Sequence, residues 1–201
     1  MEVLMGKVFI IDDKNDRVEQ YSNLLKEQGI EVFATNNVYQ MTRYSKELQP
    51  DLYVVDADVR DPDYRMLIEY LIKNFKTPLT VVCNNIQEAW HEGVSHYVLK
   101  SMVSKKLGEV AGAYCYGGKS YDFLLLNQKK NADFAVYKKK SLLNVYNIKA
   151  AKLFLQKNRV AALGVVCSPE KYPKLKDKLG FAETFYVEKI TKNGDLKAIL
   201  K

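Results

Sequence analysis

With 201 residues, 47% of them apolar and 11% aromatic, the chain has the material for packed cores, in one large domain or two small ones. No run of about 18 apolar residues and no charged-then-apolar amino terminus with a small-residue cleavage site occurs, which argues against a membrane span and a secretory signal and makes the cytoplasm the expected location. Charge is divided unevenly: residues 1–118 hold 13 basic and 17 acidic side chains, a net of −4, whereas 119–201 hold 18 and 7, a net of +11. The first apolar run, KVFIIDD at 7–13, predicts a strand over 7–12. Val18, Tyr21, Leu24 and Leu25 recur at helical spacing and predict a helix over 16–28 that stops at Gly29. A strand at 31–35, a helix at 38–49 ended by Pro50 and a strand at 52–57 follow, then a loop with Pro62. The next helix, 64–75, is expected to turn Met66, Leu67, Tyr70, Leu71 and Phe75 inward. Pro78 opens a strand that runs to Cys83; a weak helix over 86–92, carrying Trp90 and His91, ends at Gly93; strand 96–100 and helix 103–114 complete five βα units.

Strands alternating with amphipathic helices predict a parallel sheet, and such sheets gather their polar residues at the strand carboxyl ends, where ligands bind. The string CYGGKS at 115–120 breaks the periodicity where the charge balance changes, so the expected organisation is a domain over 1–114, a linker over 115–120 and a basic α+β domain over 121–201. Gly118-Lys119-Ser120 is no phosphate loop, since that motif needs glycine where Ala113 stands and a strand where a helix is predicted. In the second half, 121–127 and 133–138 suggest a hairpin, and Asn147 caps a helix over 147–158. A strand at 160–167 leads to a helix opened by Ser168-Pro169-Glu170 and closed by Gly180, and strands 183–191 and 195–200 close around Asn193-Gly194. No internal repeat is visible. The three cysteines, Cys83, Cys115 and Cys167, have neither zinc nor redox spacing and are expected to be reduced thiols.

Asp12, Asp13, Asp56, Tyr97 and Lys100 stand at or near strand ends in one register. In this constellation residues 1–114 resemble the receiver (phosphoacceptor) domain of two-component response regulators, a flavodoxin-like (βα)5 fold. The resemblance implies that Asp12 and Asp13 hold Mg²⁺ together with Asp56 and the backbone carbonyl of Asp58, that Asp56 accepts a phosphoryl group, that Lys100 neutralises it and that Tyr97 reports the change. The residue types suit that chemistry: clustered carboxylates repel one another unless a hard divalent cation joins them, and metal and lysine offset charge building on phosphoryl oxygens. The resemblance further implies a sensor histidine kinase or phosphotransfer protein as partner, homodimerisation through 86–114, and a regulator rather than a metabolic enzyme. Several positions depart from the family. Cys83 replaces the Thr or Ser that hydrogen-bonds the phosphoryl group, Asn84 replaces a small residue, and Ser101 replaces the proline after the lysine. The loop ADVRDPDYR also lacks the usual Met-Pro.

No helix-turn-helix or winged-helix pattern occurs in the second half. What it offers is lysine interleaved with aromatics: Tyr137 before Lys138, Lys139 and Lys140, Tyr146 with Lys149 and Lys152, and Tyr172 with Lys174. Lysines on strand edges and helix faces suit phosphate contacts and exposed tyrosines suit base stacking, so nucleic-acid binding, DNA included, stands beside a plain solvated face as the reading of this charge. Two functions remain open. One is a response regulator switched by Mg²⁺-dependent phosphorylation of Asp56, and the other is a receiver-like interaction or scaffold protein that works without phosphorylation.

Overall fold

The computed structural model describes residues 6–61, 63–128, 142–190 and 196–199, in two compact units, Met1–Gly117 and Gly118–Lys201. The first unit runs β1 (Lys7–Ile11), α1 (Asn15–Lys26), β2 (Glu31–Thr35), α2 (Val38–Leu48), β3 (Leu52–Asp56), α3 (Tyr64–Asn74), β4 (Leu79–Cys83), α4 (Ile86–Ala89), β5 (His96–Leu99) and α5 (Val103–Cys115). Its five strands are all parallel, in the order β2-β1-β3-β4-β5. This is the flavodoxin-like order that the resemblance implies, and the chain reverses its direction of winding between β1 and β3. A parallel sheet covered on both faces has no wet side, so its central strands read as continuous apolar runs. Val8–Ile11 and Leu52–Val55 are buried throughout.

Close packing is sharpest at Gly6, where an added Cβ would stand 2.1 Å from Cys115 Cβ and 2.8 Å from its Cα, so α5 can lie against the start of β1 only over a glycine. On α3 the buried stripe is Leu67, Ile68 and Leu71, started by the Asp63 carboxylate, which accepts from the backbone N–H of Arg65 and Met66. Met66, expected inward, is 69% exposed, because at 3.6 residues per turn it stands about 100° from Leu67 and off the stripe. α4 is a single turn that ends at Ala89, so Trp90 and His91, expected on a helix, lie beyond it.

The second unit runs β6 (Ser120–Asn127), β7 (Leu142–Val145), α6 (Ile148–Lys157), β8 (Arg159–Val166), α7 (Tyr172–Leu179), β9 (Thr184–Ile190) and β10 (Leu196–Ile199). The sheet order is β10-β9-β8-β6-β7; β6, β7, β8 and β9 are parallel, and β10 returns antiparallel on β9. Counted from its own first strand this is again the order 2-1-3-4-5. The second unit therefore repeats the path of the first with its last strand reversed, a repetition with no trace in the sequence. Of the hairpin expected between 121–127 and 133–138, the second arm lies outside the described residues, as does the Asn193-Gly194 turn. Within them both edges of β6 are taken by parallel partners.

Asn147 caps α6, its side chain accepting from the Ala150 N–H at 2.8 Å. α7 starts after a 3₁₀ turn over Pro169–Lys171 and ends on Gly180, whose φ of 62° is the left-handed conformation that glycine adopts freely. The core includes Leu125, Val166 and Val187 with Phe123 and Phe185 against them. No helix among the described residues is long and apolar enough to cross a membrane.

Candidate functional site: an acidic pocket at the carboxyl end of the first sheet

At the reversal point the turn after β1 and the end of β3 bring carboxylates together. Asp12 and Asp56 are 1% and 0% exposed, and such burial of charge requires partners. Lys100, just past β5, supplies one: its Nζ lies 3.0 Å from Asp56 Oδ1 and 2.6 Å from Asp58 Oδ2. The Asp58 backbone N–H also donates to Asp56 Oδ1 at 2.8 Å. Burial works against the ammonium, but its bonds to Asp58 and Asp56 hold the Lys100 pKa above the usual lysine value.

The other partners come from α1, whose sequence shows an apolar stripe but does not show where its polar tips point. Arg17 donates from Nε to Asp12 Oδ2 at 2.8 Å and from Nη2 to Asp12 Oδ1 at 2.6 Å, and the same Nη2 reaches Asp13 Oδ1 at 2.9 Å. Its Nε lies 3.9 Å from Asp56 Oδ2. The Tyr21 hydroxyl, one turn further on, donates to that Asp56 Oδ2 at 2.5 Å. Burial and then the bond to Asp56 push the Tyr21 pKa up, so the phenol keeps its proton and acts as donor. The bond to Asp12 pushes the Arg17 pKa up in turn, while burial raises the Asp12 carboxyl against the pull of Arg17. The two-pronged geometry favours the charged pair. Asp13 Oδ2 accepts from the Arg60 N–H at 3.3 Å and Asp12 Oδ1 from the Lys14 N–H at 2.8 Å. The signal for Arg17 and Tyr21 is their four-residue spacing, which puts both on one face of α1, with Asp13 four residues before Arg17 in the turn that leads into the helix.

The Mg²⁺ implied by the resemblance is a hard cation that bonds carboxylate oxygens directly, and a guanidinium seated across the same oxygens repels it and takes its place. Every carboxylate oxygen of Asp12, Asp13 and Asp56 already accepts from a guanidinium, ammonium, hydroxyl or backbone donor. As arranged, these residues do not fit a metal ion. Among the described residues no group of three or more His, Cys, Asp or Glu side chains is set to hold one. The Asp58 side chain is bonded to Lys100.

Cys83 ends β4, buried, its thiol pushed up to about 12 by burial and then by Asp56, so it is a neutral, weak donor. With Asp58, Tyr64 and Asn84 it lines an open cleft of about 250 Å³. Tyr97 is turned inward. Its ring stacks on Trp90 with centroids 5.8 Å apart, and its hydroxyl accepts from the His91 N–H at 2.7 Å and donates to the His91 carbonyl at 3.1 Å. Tyr64 donates to the Ala89 carbonyl at 2.7 Å. Two phenols thus tie down the last residue of α4 and the segment just past it. Tyr97→Phe is expected to lower stability by about 1 kcal/mol and to shift the fluorescence of Trp90, the chain's single tryptophan, readable by urea denaturation.

In the second unit Lys149 and Lys152 lie exposed on α6 and Lys174 exposed on α7; Lys138, Lys139 and Lys140 lie outside the described residues. Of the tyrosines expected to stack on bases, Tyr137 lies outside the described residues and the other two do not face solvent. Tyr146 and Tyr172 are buried, and Tyr172 packs on Tyr186 with centroids 5.5 Å apart while its hydroxyl donates to the Thr184 carbonyl. β8 separates α6 from α7, so these two helices form no helix-turn-helix.

No family model matches the chain, and no curated protein matches it. Among solved structures it is similar to the signal receiver domain of a response regulator from Bermanella marisrubri, at 18% identity, covering 55% of this chain and 98% of that one with a TM-score of 0.49. It is similar also to a two-component response regulator from Clostridium difficile, at 20% identity, covering 55% and 95% with a TM-score of 0.49. A third similar structure is the beryllofluoride-activated NtrC4 receiver domain dimer, at 18% identity, covering 55% and 99% with a TM-score of 0.46. The likeness is one of fold and falls on the amino-terminal part of the chain; the carboxyl-terminal part is unrecognised.

Proposed function

We propose that the chain is a response-regulator-type signalling protein that takes its input at Asp56 and answers through its basic second unit. The observation that carries this reading is the Lys100 ammonium 3.0 Å from Asp56 Oδ1, beside Asp12 and Asp13 at the reversal point of the sheet. In the modification step an Asp56 carboxylate oxygen forms a bond to the donor's phosphorus while the bond from phosphorus to the leaving group breaks, and the leaving group departs with that electron pair. Lys100 faces the arriving charge. To follow the phosphoryl oxygens it must let go of Asp58, and because Tyr97 lies three residues before it on β5, the segment Ala89–His91 and the 86–114 face feel the change. That face is the surface for a kinase or phosphotransfer partner and for a second copy of the chain. The chain acts on itself alone, as a regulator. Lys149, Lys152 and Lys174 suit phosphate contacts, so a nucleic acid is the partner proposed for the second unit.

A second reading, an interaction protein that works without phosphorylation, is favoured by the Tyr21 hydroxyl on Asp56 Oδ2. Intact mass after incubation with acetyl phosphate decides between them. A phosphate-sized adduct on the native chain, lost in Asp56→Asn, is the expected result; the same mass with and without the donor leaves the second reading.

A further inference from the structure

We propose that Arg17 is the resident cation of the acidic pocket, standing where a divalent ion would join Asp12 and Asp13, and that the Tyr21 hydroxyl caps Asp56, so that the pocket rests latched and metal-free. The cap on Asp56 rests on the reading of that residue as phosphoacceptor; the role of Arg17 does not.

A guanidinium is a planar fork of donors that matches a carboxylate, is charged at every pH of interest and is weakly hydrated, so it can enter a buried site at lower cost than an ammonium. Here the fork spans both oxygens of Asp12, at 2.8 and 2.6 Å, and its Nη2 bridges to Asp13 at 2.9 Å. That joins two acids through one cation, which is the electrostatic task of a divalent ion at such a pair. The arrangement is set by local sequence. Asp13, Arg17 and Tyr21 follow at four-residue steps from the end of β1 into α1, so the turns of one helix present first a guanidinium and then a phenol to the end of the sheet.

The cap works by occupancy. Asp56 Oδ1 accepts from Lys100 and from the Asp58 N–H, and Oδ2 accepts from Tyr21 at 2.5 Å. In-line attack needs a lone pair aimed at the donor's phosphorus, and the Tyr21 bond holds the buried Oδ2 inward. Input at this site is therefore slow until Arg17 and Tyr21 are moved, and a partner that moves them sets the protein's response.

Calorimetric titration of the full chain with Mg²⁺ alone and Mn²⁺ alone tests the Arg17 half, and the rate of adduct formation with acetyl phosphate tests the Tyr21 half. The native chain is expected to give no saturable heat in the millimolar range, while Arg17→Ala binds one ion about tenfold more tightly or better. Tyr21→Phe, which keeps the ring, is expected to take the phosphoryl group about tenfold faster, the effect of freeing one hydrogen bond from the nucleophile. Native binding as tight as that of Arg17→Ala overturns the resident cation, and a Tyr21→Phe rate equal to the native one overturns the cap. Should Arg17→Ala not fold, saturable binding by the native chain still overturns the proposal, and its absence supports it. If no variant takes a phosphoryl group, the phosphoacceptor reading and the cap fall, and calorimetry still decides the role of Arg17.

Discussion

Arg17→Ala is expected to cost about 3 kcal/mol of stability in the presence of a chelator, because breaking a buried ion pair from one side leaves uncompensated charge. The Asp12 and Asp56 side chains have no solvent exposure to fall back on, and the Arg17 side chain itself is only 18% exposed. Without the guanidinium, Asp12 keeps the Lys14 N–H and Asp13 the Arg60 N–H, and the three carboxylates repel across the pocket. The same oxygens, once vacated, suit a divalent ion. Mg²⁺ at a hundred times its Kd should then return about 2.7 kcal/mol to the variant and nothing comparable to the native chain. Urea denaturation of both proteins, each with Mg²⁺ and with chelator, reads all four stabilities. A loss below about 1 kcal/mol in chelator would show Arg17 to be a surface residue of ordinary weight.

A loss of comparable size is expected in the second unit from Phe154→Ala. Phe154 is fully buried on α6, with its ring 4.9 Å from that of Tyr121 on β6. Truncating such a side chain costs about 3–5 kcal/mol through lost transfer free energy and the cavity left behind. Hydrogen exchange at β6 and β8 amides is the readout, with Lys152→Ala, exposed on the same helix, as a control expected to stay within about 0.5 kcal/mol. Protection unchanged by Phe154→Ala would mean that α6 does not cover the sheet in this way.

The first unit is largely legible because its strands are apolar runs, buried along β1 and β3, and the polar residues at or just past the ends of β1, β3 and β5 are the ones that reach the pocket. Asp12, Asp56 and Lys100 could be placed in this way. Arg17 and Tyr21 could not, because their partners are set by tertiary approach. Tyr21 recurs with the apolar residues of its helix, but its hydroxyl finds Asp56 from 35 residues away. A helix that presents its polar tips to the end of a sheet looks, in sequence, like any amphipathic helix. Met66 differs for a smaller reason: it borders the α3 stripe of Leu67, Ile68 and Leu71 without belonging to it.

The second unit was less legible because its order depends on parallel pairing. Parallel partners need a crossover, and nothing in adjacent residues tells β6 that its neighbours are β7 and β8. Its tyrosines illustrate a further ambiguity: beside lysine a tyrosine reads equally as a stacking platform or as a core side chain with one polar tip, and Tyr146 and Tyr172 are the latter.

Anomalous diffraction from crystals of the full chain soaked in Mn²⁺ tests most directly whether Arg17 is the cation of this pocket. The expected map has no anomalous peak among Asp12, Asp13 and Asp56, with density for the guanidinium across Asp12 and Asp13. A peak bridging those carboxylates, with Arg17 displaced, would contradict it.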